Sequence, residues 1–217
     1  MRPVPLLLIP TLLLFATGCV IPSDKSLLVT APLPDPHSPL GLQAQAVAKI
    51  KNLGGQVQFA ATLPGMPAVG IDLHGTRVRD ADLSVLESLP AVRTLNLHNT
   101  AITDAGLAYL KAAPHLQTLF LNKTAVTDAG LEQLKALPEL RELSLCHTQV
   151  TDAGLNSLSR LSSLQKLTLC GGGITDRGIL AIRTMTNVKL LLLVDTRVTE
   201  AGVQGLRQAL PGLRIIR

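Results

Sequence analysis

Six stretches of this 217-residue chain begin alike, and they begin 24 residues apart with no slippage. They are IDLHGTRVRDADLSVL from Ile71, LNLHNTAITDAGLAYL from Leu95, LFLNKTAVTDAGLEQL from Leu119, LSLCHTQVTDAGLNSL from Leu143, LTLCGGGITDRGILAI from Leu167 and LLLVDTRVTEAGVQGL from Leu191. A fixed period of this length marks a stack of like coils. One coil alone cannot bury its leucines, so it hides them against the coils before and after it.

Each copy has two rhythms. In the first half apolar residues alternate, as in a strand with one buried face. Leu95 and Leu97 point in, whereas Thr94, Asn96 and His98 point out. In the second half the step lengthens. Leu107 and Leu110 are three apart, and Leu131, Leu134 and Leu137 repeat that step, which predicts an apolar stripe on a short helix. Asp104, Asp128, Asp152 and Asp176 stand where a helix cap would, facing free amides and the positive end of the dipole. Pro90, Pro114, Pro138 and Pro211 follow the stripe and end it. The turn threonines Thr76, Thr100, Thr124, Thr148 and Thr196 are expected to satisfy turn amides and to form a ladder along the stack. Gly106, Gly130, Gly154, Gly178 and Gly202 fall in the first helical turn, where glycine is costly, and a close approach of neighbouring coils would account for them. Strands pack about 4.8 Å apart and helices about 10 Å apart. The stack therefore bends, with parallel strands on the concave side and helices outside.

The pattern LxxLxLxxTxVTDAGLxxL resembles the leucine-rich repeat. It is closest to the TDxGL-bearing variety, which also occurs in substrate receptors of eukaryotic ubiquitin ligases. There the turn residue is usually Cys. Here it is Thr, with Gly172 as the exception. With the preceding KIKNLGG, this is similar to the leucine-rich repeat proteins abundant in planctomycete-type bacteria. The resemblance covers roughly residues 45–217. It implies a right-handed α/β solenoid of six 24-residue coils, and says little about function, because repeat scaffolds host many partners.

The remaining segments read as accessories. Residues 1–18 open with Arg2 and an apolar run from Val4 to Phe15, too short to span a bilayer and interrupted by Pro5 and Pro10. They read as a secretory signal. Ala16-Thr17-Gly18-Cys19 resembles the bacterial lipobox, which implies a diacylglycerol on Cys19 and a stable lipid anchor. Val20 rather than Asp after the cysteine is similar to lipoproteins sorted to the outer membrane. Residues 19–40 carry Pro22, Pro32, Pro34, Pro36 and Pro39 and read as a tether, spanning at most about 65 Å at polyproline rise. Residues 41–68 read as an N-terminal cap: a helix over 41–53 with Ala46, Val47, Ile50 and Leu53 inward, a stop at Gly54-Gly55, and a strand over 56–59. Repeats fill 69–217, ending in an irregular half-coil whose last strand is guarded by Arg214 and Arg217.

The formal charge is +5, and it falls to +4 without the signal segment, whose one charged residue is Arg2. The excess is scattered, and no basic stripe with interleaved aromatics appears, which argues against nucleic-acid binding. No phosphate loop, GxSxG elbow, HExxH or CxxC is present. These readings lead to no enzyme, no cofactor, no metal site and no small-molecule substrate.

What remains is the concave face. One outward column reads His74, His98, Asn122, Cys146, Cys170 and Val194. Cys146 and Cys170 would be neighbours there, open to a disulfide or to a metal with His98 or His147, and two free thiols on a binding face is the favoured reading. Leu190, Leu192 and Val194 face out in the last full coil, and Phe120 in the third, against the usual alternation. Either the C-terminus folds over this apolar end or it receives a protein partner. Asn96, Asn122, Glu142, Ser144, Lys166 and Thr168 would form a selective polar rim. The expected function is a non-catalytic protein-interaction module, lipid-anchored at the bacterial cell envelope. Two alternatives are a ubiquitin-ligase-like (F-box type) receptor, which needs a helical region before the repeats, and a hydrolase using Cys146. For the latter His147, next to it on the strand, should face the other way.

Overall fold

A computed structural model describes residues 35–217 apart from Thr62 and Pro64. The signal segment, Cys19 and the tether up to residue 34 lie outside the described residues. One sheet holds eight strands in chain order. After β1 (Gln56–Phe59) come β2 (Ala68–Asp72), β3 (Thr94–Asn96), β4 (Thr118–Phe120), β5 (Glu142–Cys146), β6 (Lys166–Cys170), β7 (Leu190–Val194) and β8 (Arg214–Ile216). From β2 to β8 every pairing is parallel, and Gly70, Thr94, Thr118, Glu142, Lys166, Leu190 and Arg214 lie in one row. The sequence period is thus the register of the sheet, at 24 residues per step throughout.

The buried rows follow from the alternation. Leu95, Leu97, Leu119, Leu121 and Leu143 are wholly buried, and the helical-half leucines Leu107, Leu110 and Leu134 meet them from the other side in one continuous core. Removing such a leucine to alanine costs about 2–5 kcal/mol.

The helical half is tighter than expected in the early coils. The first is a 3-10 helix over Asp80–Ser88. The next two begin as single α turns, α2 (Asp104–Leu107) and α3 (Asp128–Leu131), and continue as 3-10 helices over Ala108–Ala112 and Glu132–Ala136. The three-residue leucine step matches the 3-10 period, so that winding keeps these leucines on one inward face. Later coils carry α4 (Asp152–Leu158), α5 (Asp176–Ile182) and α6 (Glu200–Ala209).

The coil-to-coil joint corrects the expectation for the aspartates. The helix cap is the threonine: Thr103, Thr127, Thr151 and Thr175 each accept a bond from the amide two residues on. The aspartate beside it reaches to the next coil. Asp104 accepts from the Thr127 amide at 2.8 Å and from the Thr127 hydroxyl at 2.6 Å. Asp80, Asp128, Asp152 and Asp176 do the same to Thr103, Thr151, Thr175 and Thr199. One hydroxyl therefore caps its own helix and donates to the coil before. The first-turn glycines leave room for that carboxylate. A Cβ added at Gly106 would stand 2.5 Å from Asp80 Oδ1, and at Gly130, Gly154, Gly178 and Gly202 the preceding aspartate is closer still. The expected close approach of coils is this carboxylate.

The turn threonines form no ladder. Thr76, Thr100, Thr124 and Thr148 each donate to the carbonyl three residues back in their own coil, at 2.6–2.9 Å.

Helix α1 (Pro39–Asn52) covers the start of the stack, with Ala46 and Ile50 in the core. It begins two residues earlier than expected. Ser38 is its N-cap and Pro39 occupies the first turn, so the last prolyl residue of the expected tether is a helix start. Strand β1 runs antiparallel to β2 and closes that end of the sheet. At the other end β8 is no irregular half-coil. The extra residue before Pro211 is absorbed ahead of the strand, and Arg214, Ile215 and Ile216 pair in register with Leu190, Leu191 and Leu192. Arg217 does not guard the edge; it turns back to Glu200 and to the Val198 carbonyl.

Candidate binding face

The outward positions form three rows across the parallel strands. The first row runs Thr94, Thr118, Glu142, Lys166, Leu190, Arg214. The second runs Asp72, Asn96, Phe120, Ser144, Thr168, Leu192, Ile216. The third continues past the strand ends from His74 and His98 to Asn122, Cys146, Cys170 and Val194. The residues expected on the face occupy these outward rows, with Ser144 buried in its place, and they separate into zones.

The N-terminal zone is polar. The His74 and His98 rings lie 5.1 Å apart, tilted by 44°. Burial, then the neighbouring His74 and Lys123, hold His98 below the ordinary imidazole value. Asn96 accepts from the His98 amide.

The middle zone satisfies itself. Glu142 and Lys166, side by side in the sheet, form an ion pair at 2.5 Å. Asn122 Oδ1 accepts from the Ser144 hydroxyl at 2.6 Å and from the Cys146 amide at 2.8 Å. The expected selective rim thus spends much of its bonding on itself. Phe120, half-buried, sits in this zone, separated from Leu192 by Ser144 and Thr168. It is not part of the apolar end.

Cys146 and Cys170 correct the free-thiol expectation. They are joined as a disulfide, with Cα atoms 4.3 Å apart. The parallel register brings them together, since residues one coil apart share a row. His147 is not on the strand; it follows β5 in the left-handed region at φ 55°. Gly75, Asn99, Lys123, Gly171 and Asp195 occupy the corresponding place with the same sign of φ. Among the described residues no three His, Cys, Asp or Glu side chains are grouped to hold a metal ion.

The C-terminal zone is apolar. Leu190 and Leu192 are half-buried on the open face, Val194 is 42% exposed and Ile216 is 39% exposed. Residues 210–217 do not fold over these side chains; they add a strand and extend the patch by Ile216. Ile216 was missed in the sequence, although LRIIR carries the alternation that places it outward. Lys166, Lys189, Arg197 and Arg214 lie on or beside these strands, against Asp195 and Glu142.

No protein-family model matches the chain, and no curated protein matches it in sequence. Solved structures do. Internalin C2 of Listeria monocytogenes aligns over 82% of this chain and 85% of its own, at TM-score 0.52 and 18% identity. This chain has the leucine-rich repeat solenoid fold. A leucine-rich repeat protein of Leptospira interrogans is 21% identical over 62% of this chain and 33% of its own, at TM-score 0.48.

In this leucine-rich repeat solenoid the sheet fixes where the outward side chains stand. Neighbours within a row stand about 4.8 Å apart along the stack.

Proposed function

We propose that the solenoid is a non-catalytic protein-binding scaffold that receives its partner on the C-terminal end of the open sheet face. The observation that carries this reading is the outward apolar set Leu190, Leu192, Val194 and Ile216. A one-sided sheet keeps its solvent face polar, and a contiguous apolar patch is the usual core of a protein interface. Lys189, Arg197 and Arg214 beside it favour a partner whose apolar contact is flanked by acidic groups. The self-paired middle zone supports the same placement, since Glu142, Lys166, Asn122 and Ser144 have fewer bonds left to offer.

On this reading Cys19 carries the lipid, the tether spaces the solenoid from the membrane, and the site of action is the cell envelope, at the outer membrane. The ubiquitin-ligase alternative needs a free helical region before the repeats, whereas α1 is committed to covering the first coil. The test is capture from envelope extracts with a Leu192→Ser, Ile216→Ser variant beside the unaltered chain and a Phe120→Ser variant. The proposal expects the double variant to lose partners that the Phe120 variant keeps. Equal recovery by all three refutes the placement. Labelling with a fatty-acid analogue tests the anchor: label should vanish in Cys19→Ser.

A further inference from the structure

We propose that the Cys146–Cys170 bond is a thiol-exchange site. A thiol enters the depression beside Cys170, attacks its Sγ and is held as a mixed disulfide. This goes beyond the scaffold reading and does not depend on the apolar end.

Three observations meet at this bond. The bridge lies on the open face, where both cysteines are half-buried at outward positions rather than sealed in the core. The joint it crosses is already made. β5 and β6 pair over five residues, and Asp152 accepts from both the amide and the hydroxyl of Thr175, as the equivalent aspartates do at joints without a bridge.

The third observation is the turn after Cys170. Thr76, Thr100, Thr124, Thr148 and Thr196 hold the equivalent turn position elsewhere; here Gly172 stands there between Gly171 and Gly173. The missing side chains leave a depression of about 320 Å³, lined by Cys170, these glycines, His147, Thr148 and Gln149. Gly171 alone of the three has left-handed backbone, so Gly172 is not required by its φ. The Arg197 guanidinium lies against it: a Cβ at Gly172 would be 3.3 Å from Arg197 Nε. A cation beside the depression's Gly172 attracts an anionic guest.

The step balances without another reagent. The incoming thiol gives its proton to water. Its sulfur forms a bond to Cys170 Sγ, the Cys146–Cys170 bond breaks, and Cys146 leaves as a thiolate with the electron pair. One disulfide replaces another, and Cys146 can later expel the guest by the reverse attack. Cys170 is the sulfur attacked because it lines the depression and Cys146 does not.

The experiment uses the Cys19→Ser chain, so that only these two cysteines report. Glutathione in one arm and a cysteine-containing peptide in the other are added, free thiols are alkylated, and adducts are mapped by mass spectrometry. The proposal expects one adduct on Cys170 with Cys146 alkylated, formed by the folded chain. A reaction in one arm alone identifies a small or a protein thiol as the guest. The Gly172→Thr variant restores the repeat residue and refills the depression. It should slow adduct formation by about tenfold or more at unchanged circular dichroism. Arg197→Gln should slow glutathione and remove part of its salt dependence. A chain with no bridge, adducts only in urea, attack on Cys146 as readily as on Cys170, or equal rates in Gly172→Thr overturns the proposal.

Discussion

Gly130→Ala separates the joint described above from ordinary helix energetics. Gly130 lies inside α3, and alanine in a helix interior is favoured over glycine by about 1 kcal/mol. Helix propensity alone therefore predicts stabilisation. The structure predicts the opposite. A Cβ at Gly130 runs into the Asp104 carboxylate, with Leu107 Cδ1 at 3.0 Å on its other side. The carboxylate has to leave, and it takes with it the bonds from the Thr127 amide and hydroxyl. Bonds to a charged group are worth about 1.5 kcal/mol or more each, less where water can replace them, as at this half-buried site. Two of them lost against one propensity gain leaves a net destabilisation of about 1–2 kcal/mol. Urea unfolding followed by circular dichroism reads this directly. The deciding arm is the same substitution in an Asp104→Ala background. There the carboxylate is gone and only the tip of the Leu107 side chain has to give, so Gly130→Ala should be neutral or stabilising by up to about 1 kcal/mol. Stabilisation in the unaltered chain, or the same cost in both backgrounds, would refute the reasoning.

The last joint carries a pH signature. Bonds from the Thr199 hydroxyl and then its amide, with Arg217 nearby, hold Asp176 below its ordinary value of 3.8. A carboxyl lowered in the folded state stabilises fully above that ordinary value, and the contribution is lost as pH falls through the folded one. Urea midpoints measured from about pH 5 downward should fall less steeply in Asp176→Asn than in the unaltered chain. Lys123 sits at φ 54° where the preceding coil has Asn99, and Lys123→Asn should raise stability by about 0.5–1 kcal/mol in thermal melts. At the outward apolar patch, Ile216→Ser should leave the melting temperature within about 2 °C of the unaltered chain while lowering partner capture. A large loss of stability there would mean the patch is core, not interface.

The period made the sheet legible. Once six copies begin 24 residues apart, the alternating halves can only lie in register, and the rows of outward residues follow by counting. The aspartates were not legible in the same way. Asp104 precedes its own helix and looks like a cap, while its real partner, Thr127, is a coil away. A signal was present: Thr103 already supplies the cap, so Asp104 beside it and Gly106 after it have no local reason to recur. Proline misleads at the other end, because Ser38-Pro39 is a helix start inside a stretch whose proline content suggests a tether. The disulfide lay between these cases. Counting put Cys146 beside Cys170, but adjacency does not decide whether two thiols are joined. Phe120 and Leu192 share a row, and only the residues between them, Ser144 and Thr168, show that they are not one patch.

The stacking itself can be measured without reference to any partner. In the parallel register the Leu97 amide donates to the Phe120 carbonyl and the Leu121 amide to the Ser144 carbonyl, both at 2.9 Å. Scalar couplings across hydrogen bonds, recorded by nuclear magnetic resonance on the labelled chain, connect an amide nitrogen to the carbonyl carbon that accepts from it. The stacked-coil account predicts couplings from Leu97 to Phe120 and from Leu121 to Ser144. Couplings from these amides to carbonyls within their own coil, or to residues out of that register, would contradict it.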